Sequence, residues 1–313
     1  MTPDVGTTEV RPGEPWVRDV TADAIQHFVW GIGDNNPLWL EGSIAPPSFL
    51  YAVDETTVAP GHPGARRIYS SVEWTWYDSL PLAAAIQVAI TLTDEGLSNN
   101  GNVRQEGRVD FSANDVLLAT AVVECTRRLD ASTNPDDRPE VRYSPEELEA
   151  IERTILSESR QGDRPLTAEE VSAGNVLGPL VKGPLSIMDV VAWCAGTQGV
   201  ARDNSLSEGG LHAQCATGPQ QIAWMIQLLT DWIGDGGFLH RLEAEIQSNP
   251  PLGSTSTITG EVVDVFKTET PGFIARVEAR NQFGETSAAG HATVLMPSSE
   301  HGPVRLPVER AHT

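Results

Sequence analysis

The strongest constraint on the fold is an order of elements that occurs twice along the chain. In the first pass, "TADAIQHFVWGIGD" (Thr21 to Asp34) sets Ala24, Ile25, Phe28, Val29 and Ile32 at helical spacing behind a threonine cap, which predicts a helix of about three turns. "APPSFLYAVDE" (Ala45 to Glu55) follows an Asn-Pro loop. Its prolines can open a helix but not continue one, and the mostly apolar run after them predicts a second, more buried helix. The period then changes to two. "RIYSSVEWTWYD", "AIQVAITLTDEG", "NVRQEGRVDFSAND" and "LLATAVVECTRR" predict antiparallel strands between Gly, Asn and Asp turn signals. The Asn-Gly pair in "SNNGN" (Ser98 to Asn102) predicts a tight hairpin.

The second pass repeats this. "SIMDVVAWCAGTQG" (Ser186 to Gly199) predicts a short apolar helix ending at glycine, and "ATGPQQIAWMIQLLTDWIGDGGFL" (Ala216 to Leu239) a longer buried one after Gly-Pro. "STSTITGEVVDVF" and "GFIARVEARNQFGETSAAGHATVLMP" predict strands. Two copies of helix, helix and antiparallel sheet indicate a duplicated α+β unit. A sheet wrapped around a buried helix, made twice in one chain, is the double hot-dog arrangement. The boundaries read as a disordered tail over residues 1–16, an N-terminal hot-dog over 17–130, a linker over 131–165, a C-terminal hot-dog over 166–298 and a second tail over 299–313. The linker is polar and Pro-rich, with a charged amphipathic helix from about Pro145 to Ser159.

Charge and cysteine content narrow the partners. A net charge of -22 argues against binding phosphate backbones or anionic membranes, so neither nucleic acid nor membrane is expected as a partner. The chain lacks a signal-peptide pattern at its start and any apolar run of spanning length, which points to the cytosol. Cys125, Cys194 and Cys215 show no close-paired metal spacing and read as small buried hydrophobes. The sequence is poor in histidine, carries no metal motif and has no Gly-rich phosphate loop, so no cofactor and no metal is expected.

At this point the residues carry a resemblance. "GDNNPLW" followed by "APPSFLYA" resembles the MaoC-like hydratase and dehydratase family, whose motif begins Gly-Asp-x-Asn-Pro and continues, one residue later, with histidine. "VKGPLSIMDVVAWCAG" and "LLTDWIGDGGFL" are similar to the C-terminal half of double hot-dog members called FAS1-like or acyl dehydratases. The resemblance runs from Thr21 to Pro297. It implies reversible loss or addition of water on a 3-hydroxyacyl or trans-2-enoyl thioester carried by CoA or an acyl carrier. Such chemistry needs a positioned base for the proton beside the carbonyl and an acid for the departing hydroxide.

Carried onto this chain, Asp34, Asn36 and Pro37 fill the first motif, but Trp39 stands where the histidine belongs, and an indole moves no protons at neutral pH. In the second half Asp203, Asn204 and His212 form a stretched version, and Gly218-Pro219 opens the buried helix. The resemblance therefore implies His212, Asp203 and Asp34 as catalytic candidates, with Asn36, Trp39, Tyr51, Cys194 and Gly218 as substrate-binding candidates. Each has a plainer reading. Asp34 can be a turn residue, Asn36-Pro37 can shape a loop, Trp39, Tyr51, Tyr69 and Cys194 can be core, and His212 can be a surface histidine or the partner of a thiol at Cys215. Asp189 reads as a first-turn acid, and Asp231 and Asp235 as terminators of the long helix. Arg66, Arg67, Arg127 and Arg128 are the cations available to a CoA or carrier phosphate, or are solvated face residues. Beside the dehydratase reading stand a hot-dog enzyme redirected to another elimination, isomerisation or cyclisation of a small-molecule biosynthetic intermediate, a non-catalytic acyl-binding subunit, and a thioesterase. Duplication supplies one sheet pairing internally and leaves other surfaces open to a homodimer.

Overall fold

The computed structural model describes residues 10–15, 17–41, 44–54, 56, 58, 66–97, 102–128, 141–162, 164, 166–197 and 215–308. In the first half a short strand β1 (Val10–Pro12) precedes helix α1 (Ala22–Ile32), a helical turn α2 (Pro37–Glu41) and strand β2 (Ile44–Ala45). A 3-10 turn (Pro47–Phe49) runs into helix α3 (Leu50–Val53), followed by β3 (Arg66–Trp76), β4 (Leu80–Pro81), β5 (Gln87–Leu97), β6 (Val103–Ala113) and β7 (Val116–Arg128). The linker carries α4 (Pro145–Leu156), opened by a capping box between Ser144 and Glu147. The second half contains β8 (Val176–Lys182), α5 (Ile187–Thr197), α6 (Gly218–Ile233), β9 (Phe238–Ile246), β10 (Ser256–Phe266), β11 (Gly272–Asn281) and β12 (Thr286–Leu295).

Among the described residues ten strands form one antiparallel sheet in the order β1-β5-β6-β7-β3-β9-β12-β11-β10-β8, and β2 pairs with β4 apart from it. The order makes the duplication visible. Outward from the central β3–β9 pairing, which runs from Ser71 opposite Glu245 to Thr75 opposite Arg241, each half presents its strands in the same succession. The helices obey the same near two-fold relation. Gly31 and Gly196 are each the penultimate residue of their helix, and a Cβ on Gly31 would lie 2.8 Å from Ala192 O while one on Gly196 would lie 2.8 Å from His27 O. Reciprocal contacts of this kind are what a two-fold interface produces.

The two halves differ in the helix inside the sheet. α6 is 16 residues long, and Ile222, Met225, Ile226, Leu228, Leu229 and Ile233 on it are buried, each worth about 1.5–3 kcal/mol. Thr217 caps it by accepting the Gln220 N–H, and Pro219 fits the first turn. Its counterpart, expected over Ala45 to Glu55, is only the 3-10 turn and α3, although Phe49 through Val53 are all fully buried. It stops where Asp54 becomes extended. The core between helix and sheet is aromatic: Trp74 and Trp76 stack with ring centroids 5.3 Å apart, and Tyr51 meets Trp74 edge-on.

Several expectations need correction. Residues 10–12 of the supposed disordered tail form an edge strand, with Val10 opposite Thr91 and Pro12 opposite Ala89; an edge is where a proline is tolerated. At the other end the Val308 N–H donates to Tyr77 O at 2.6 Å. The long helix ends at Ile233, and Phe238 and Leu239 belong to β9. β8 and β9 have no counterpart among the expected strands. Arg127 is buried, its Nε donating to Gln105 Oε1 at 3.2 Å, so it is not a solvated face residue. The turn within "SNNGN" lies outside the described residues apart from Asn102. Cys125 and Cys215 are buried as expected, and Cys194 is half-buried against the core.

Candidate active site

Helix α1 ends in a motif that aims its following residue inward. Gly33 adopts φ 65°, ψ 40°, its N–H donates to Trp30 O, and the Asp34 N–H donates to Val29 O at 2.8 Å, the paired bonds of a Schellman end that favours glycine. Asp34 is thereby turned into the interior and is 2% exposed. Its two carboxylate oxygens have separate donors. Oδ1 accepts the Asn36 N–H at 2.9 Å, and Oδ2 accepts the indole Nε1–H of Trp39 at 2.9 Å. Asn36 in turn accepts the Leu38 N–H, which caps α2, and Pro37 opens that turn. The residues of "GDNNPLW" thus fold on each other around one buried carboxylate.

The C-terminal end of α6 meets this loop. Asn36 Nδ2 approaches Asp231 Oδ1 at 3.5 Å, and Gln227, one turn earlier on the same face, directs Nε2 toward Gly33 O at 3.4 Å. Lys182, at the end of β8, donates from Nζ to the same Gly33 oxygen at 2.9 Å. The linker closes the arrangement: the Gln161 N–H donates to the backbone oxygen of Asp231, Arg160 pairs with Asp235, and Glu158 Oε1 accepts the Val181 N–H at 2.8 Å. Together these groups surround a cavity of about 470 Å³ whose lining includes Asp34, Asn36, Glu158, Arg160, Gln227 and Asp231.

The electrostatics single out one group. Burial first, and the neighbouring Asp34 charge second, push the Asp231 carboxyl up to about 7, against the pull of Lys182, Arg160 and Gln227. Its position in the last turn of α6, where the helix dipole disfavours an anion, acts the same way. Burial also pushes Asp34 up, opposed by the Asn36 N–H, Lys182, the Trp39 indole and Arg160. Asp34 is the better supplied with donors, so of the pair Asp231 holds the proton. A carboxyl that exchanges a proton near neutrality, in a cavity, is suited to acid–base work.

The structure brings Asp34, Asn36 and Trp39 together. Trp39 also borders a second, smaller pocket of about 70 Å³ with Pro47, Trp76 and Phe238. The remaining candidates lie elsewhere. Tyr51 sits in the core, receiving the Trp74 indole N–H at 2.8 Å and facing Tyr69 OH at 3.2 Å. Gly218, at the other end of α6, packs against Tyr69, and Cys194 lies on α5. His212 and Asp203 lie outside the described residues, as does Asn204; Cys215, with which the described chain resumes, precedes the N-terminal end of α6. Asp231, expected as a terminator, lies in the last turn of the helix, two residues before it ends at Ile233 and the Gly234 cap, while Asp235 beyond it takes up Arg160. Asp231, Gln227, Lys182, Glu158 and Arg160 are absent from the sequence-derived candidates. The available signal is the polar pair Gln227 and Asp231, spaced four apart in the mostly apolar stretch of α6 from Ile222 to Ile233. Among the described residues no group of three or more His, Cys, Asp and Glu side chains could hold a metal, and no helix is long and apolar enough to cross a membrane.

No family model and no curated protein matches the sequence. Solved structures do match its shape. A protein named MaoC-like dehydratase aligns with TM-score 0.68 at 12% identity, covering 92% of this chain and 98% of its own. A MaoC-like dehydratase from Phytophthora capsici aligns with TM-score 0.56 at 10% identity over 94% and 97%. A conserved hypothetical protein from Mycobacterium tuberculosis, described as having a double hotdog fold, gives 0.61 at 9% identity over 93% and 96%. The fold is therefore the double hot-dog.

Proposed function

We propose that this double hot-dog protein is a hydro-lyase that adds water to, or removes it from, a short acyl thioester at the Asp34–Asp231 cavity. The observation that carries the reading is the Asp231 carboxyl, raised to about 7 beside a second buried carboxylate at the cavity wall. In hydration the Asp231 carboxylate takes a proton from water as the oxygen bonds to Cβ of the enoyl group. The same carboxyl then returns a proton to Cα, so atoms balance and one group serves both steps. Asp34 touches neither reacting carbon; its charge adds to burial in raising the proton affinity of Asp231, and Trp39 and Asn36 hold it in place. The names of the matching structures support the reaction class. The thioester, whether carried by CoA or by an acyl carrier protein, is the finer part of the proposal.

The polar lining favours a short or polar acyl group over a long alkyl chain. It equally suits a free polar compound undergoing elimination, which is the second reading. The test is a panel of trans-2-enoyl-CoA thioesters, followed by loss of the conjugated absorbance, with Asp231→Asn and His212→Ala beside the native protein. Hydration abolished by Asp231→Asn and kept by His212→Ala supports the assignment. The reverse pattern would return the chemistry to the His212 segment, and no hydration by folded protein would reject the thioester.

A further inference from the structure

The last turns of α6 wall two separate spaces. Gln227 and Asp231 line the polar cavity, whereas Thr230 and Ile233 on the same helix line the smaller pocket. Trp39, Trp76, Leu80, Ile233 and Leu239 of that pocket are buried, and Pro47 and Phe238 are half-buried, so it runs from the core toward the surface. Its polar side chains are already engaged: Asp78 Oδ1 accepts the Ser79 N–H at 2.8 Å, Thr230 Oγ1 donates to Ile226 O at 3.1 Å, and Asp235 pairs with Arg160. Among the described residues the lining contains no Lys, Arg or His. What is left to hold an occupant is aliphatic and aromatic surface. Such a wall takes an apolar group and rejects an ion, whose hydration nothing here replaces. The volume is about 70 Å³, about half that of an apolar cavity of about 150 Å³ that takes benzene, so the matching occupant has about three carbon atoms.

Trp39 connects this pocket to the buried acid. It is one of the lining residues, and its indole Nε1–H is the donor to Asp34 Oδ2 at 2.9 Å. We propose that the pocket is a binding site for a short alkyl group of about three carbons, and that Trp39 transmits its occupancy to Asp34. An occupant supplies the contacts that an empty apolar space lacks and restrains the residue that holds the carboxylate. The site is additional to the reacting cavity and stands whether or not that cavity hydrates a thioester. The alkyl group belongs either to a free small molecule or to the end of a substrate chain, and the surface that recognises it is the same.

The test is NMR of the full chain carrying labelled isoleucine methyl, tryptophan indole and aspartate carboxyl groups, titrated with propane under pressure. The Ile233 methyl and Trp39 indole signals are expected to move along one saturable curve, and ethylammonium, similar in size but charged, to bind at least tenfold more weakly. Ala45→Leu, at a buried lining residue, is expected to weaken propane binding tenfold or more by filling the space. Ile233→Val is milder and leaves room for one more carbon. It should shift the preference toward butane by about fourfold, the worth of one methylene, and keeps the proposal open to refutation should Ala45→Leu fail to fold. Trp39→Phe keeps a ring at the pocket without the N–H, so propane should still bind while the Asp34 carboxyl signal no longer responds. A native protein whose Ile233 signal does not saturate overturns the site, as does equal binding of ethylammonium or propane binding indifferent to both wall substitutions. An Asp34 signal that is silent in the native protein, or that still responds in Trp39→Phe, overturns the coupling. S-hexyl-CoA, a thioether that cannot turn over, identifies the source. Competition with propane for the Ile233 signal supports the site as the seat of a substrate chain, and propane binding without competition supports it as the site of a free molecule.

Discussion

Replacing Asp231 by asparagine should make the protein more stable at alkaline pH while abolishing its chemistry. The unfolded chain releases this proton near 3.8, whereas the folded chain keeps it to about 7. A carboxyl with a raised folded value contributes stability that is fully present below 3.8 and is lost as pH rises through 7. The gap of about three pH units, at about 1.4 kcal/mol each, amounts to about 4 kcal/mol that the native protein forfeits above pH 7. Asparagine keeps the shape and an acceptor oxygen for Asn36 but has no charge to bury. Urea unfolding of both proteins at pH 4, 5, 6, 7 and 8 should therefore show a stability difference near zero at the acid end that grows to several kcal/mol in favour of Asp231→Asn by pH 8. Asp34 and Glu158, which burial also raises, titrate in both proteins, so the difference isolates Asp231 and its coupling to Asp34. A variant less stable than the native protein at pH 8, or a difference that does not change with pH, would refute the buried-carboxyl argument. Stability gained where function is lost is the usual mark of an active-site group.

Asp34→Asn removes the charge that helps to raise Asp231, so the acid limb of the pH–rate profile should move below 7. Trp39→Phe deletes the N–H that Asp34 Oδ2 accepts and should cost about 1–3 kcal/mol, more at pH 8 than at pH 5 because the bond favours the anion; an equal loss at both would assign the ring to packing alone. Gly31→Ala and Gly196→Ala should each destabilise by about 1–3 kcal/mol in thermal or urea unfolding, since the added methyl meets backbone that cannot move aside. Gly96→Ala, with nothing within 4 Å of its Cβ, is the control expected to leave the melting temperature unchanged.

What the sequence makes legible follows from how local each signal is. The threonine cap and apolar spacing of α1 are read within eleven residues, and α1 forms over Ala22–Ile32 with Thr21 accepting the Ala24 N–H. Alternating strands such as β6, buried at every second residue over most of its length, are equally plain. β9 escapes because Glu, Arg and His interrupt its buried Leu239, Leu242 and Ala244, and its start reads as a continuation of α6. Of the cavity, only Asp34 and Asn36 are legible, with Trp39 that holds Asp34, being neighbours in one loop. Lys182 stands 149 residues from Gly33, and Asp231 stands 195 from Asn36, so no spacing rule connects them. Arg160 and Glu158 lie in a segment whose polarity marks it as linker. That same polarity lets it wall a polar cavity.

The position of the cavity follows from where the duplication is broken. In a fully symmetric double hot-dog each half would place a long helix inside the sheet, and each loop after the first helix would meet the end of the other half's helix. Here the first-half helix stops at Val53, too short to carry a residue as far along as Asp231, whereas α6 continues for 16 residues to its glycine cap. Its last turn therefore reaches the loop after α1, and the buried carboxylates of Asp34 and Asp231 belong to different halves. The loop after α1 keeps an acid held by Trp39 and Asn36, and the proton-exchanging acid comes from the far end of the helix in the other copy. The glycine contact between α1 and α5 fixes the spacing of the two halves at this point, because Gly31 lies immediately before the turn that carries Gly33 and Asp34. A side chain at Gly31 would push α1 away from α5 and carry Asp34 with it. Gly31→Ala is accordingly expected to move the apparent value of Asp231 toward that of an ordinary carboxyl, while Gly196→Ala, with α5 ending away from the cavity, lowers stability with a smaller effect on that value. A pH titration of the two variants by carboxyl-selective NMR distinguishes them, and equal shifts would mean that the helix contact does not set the distance between the two acids.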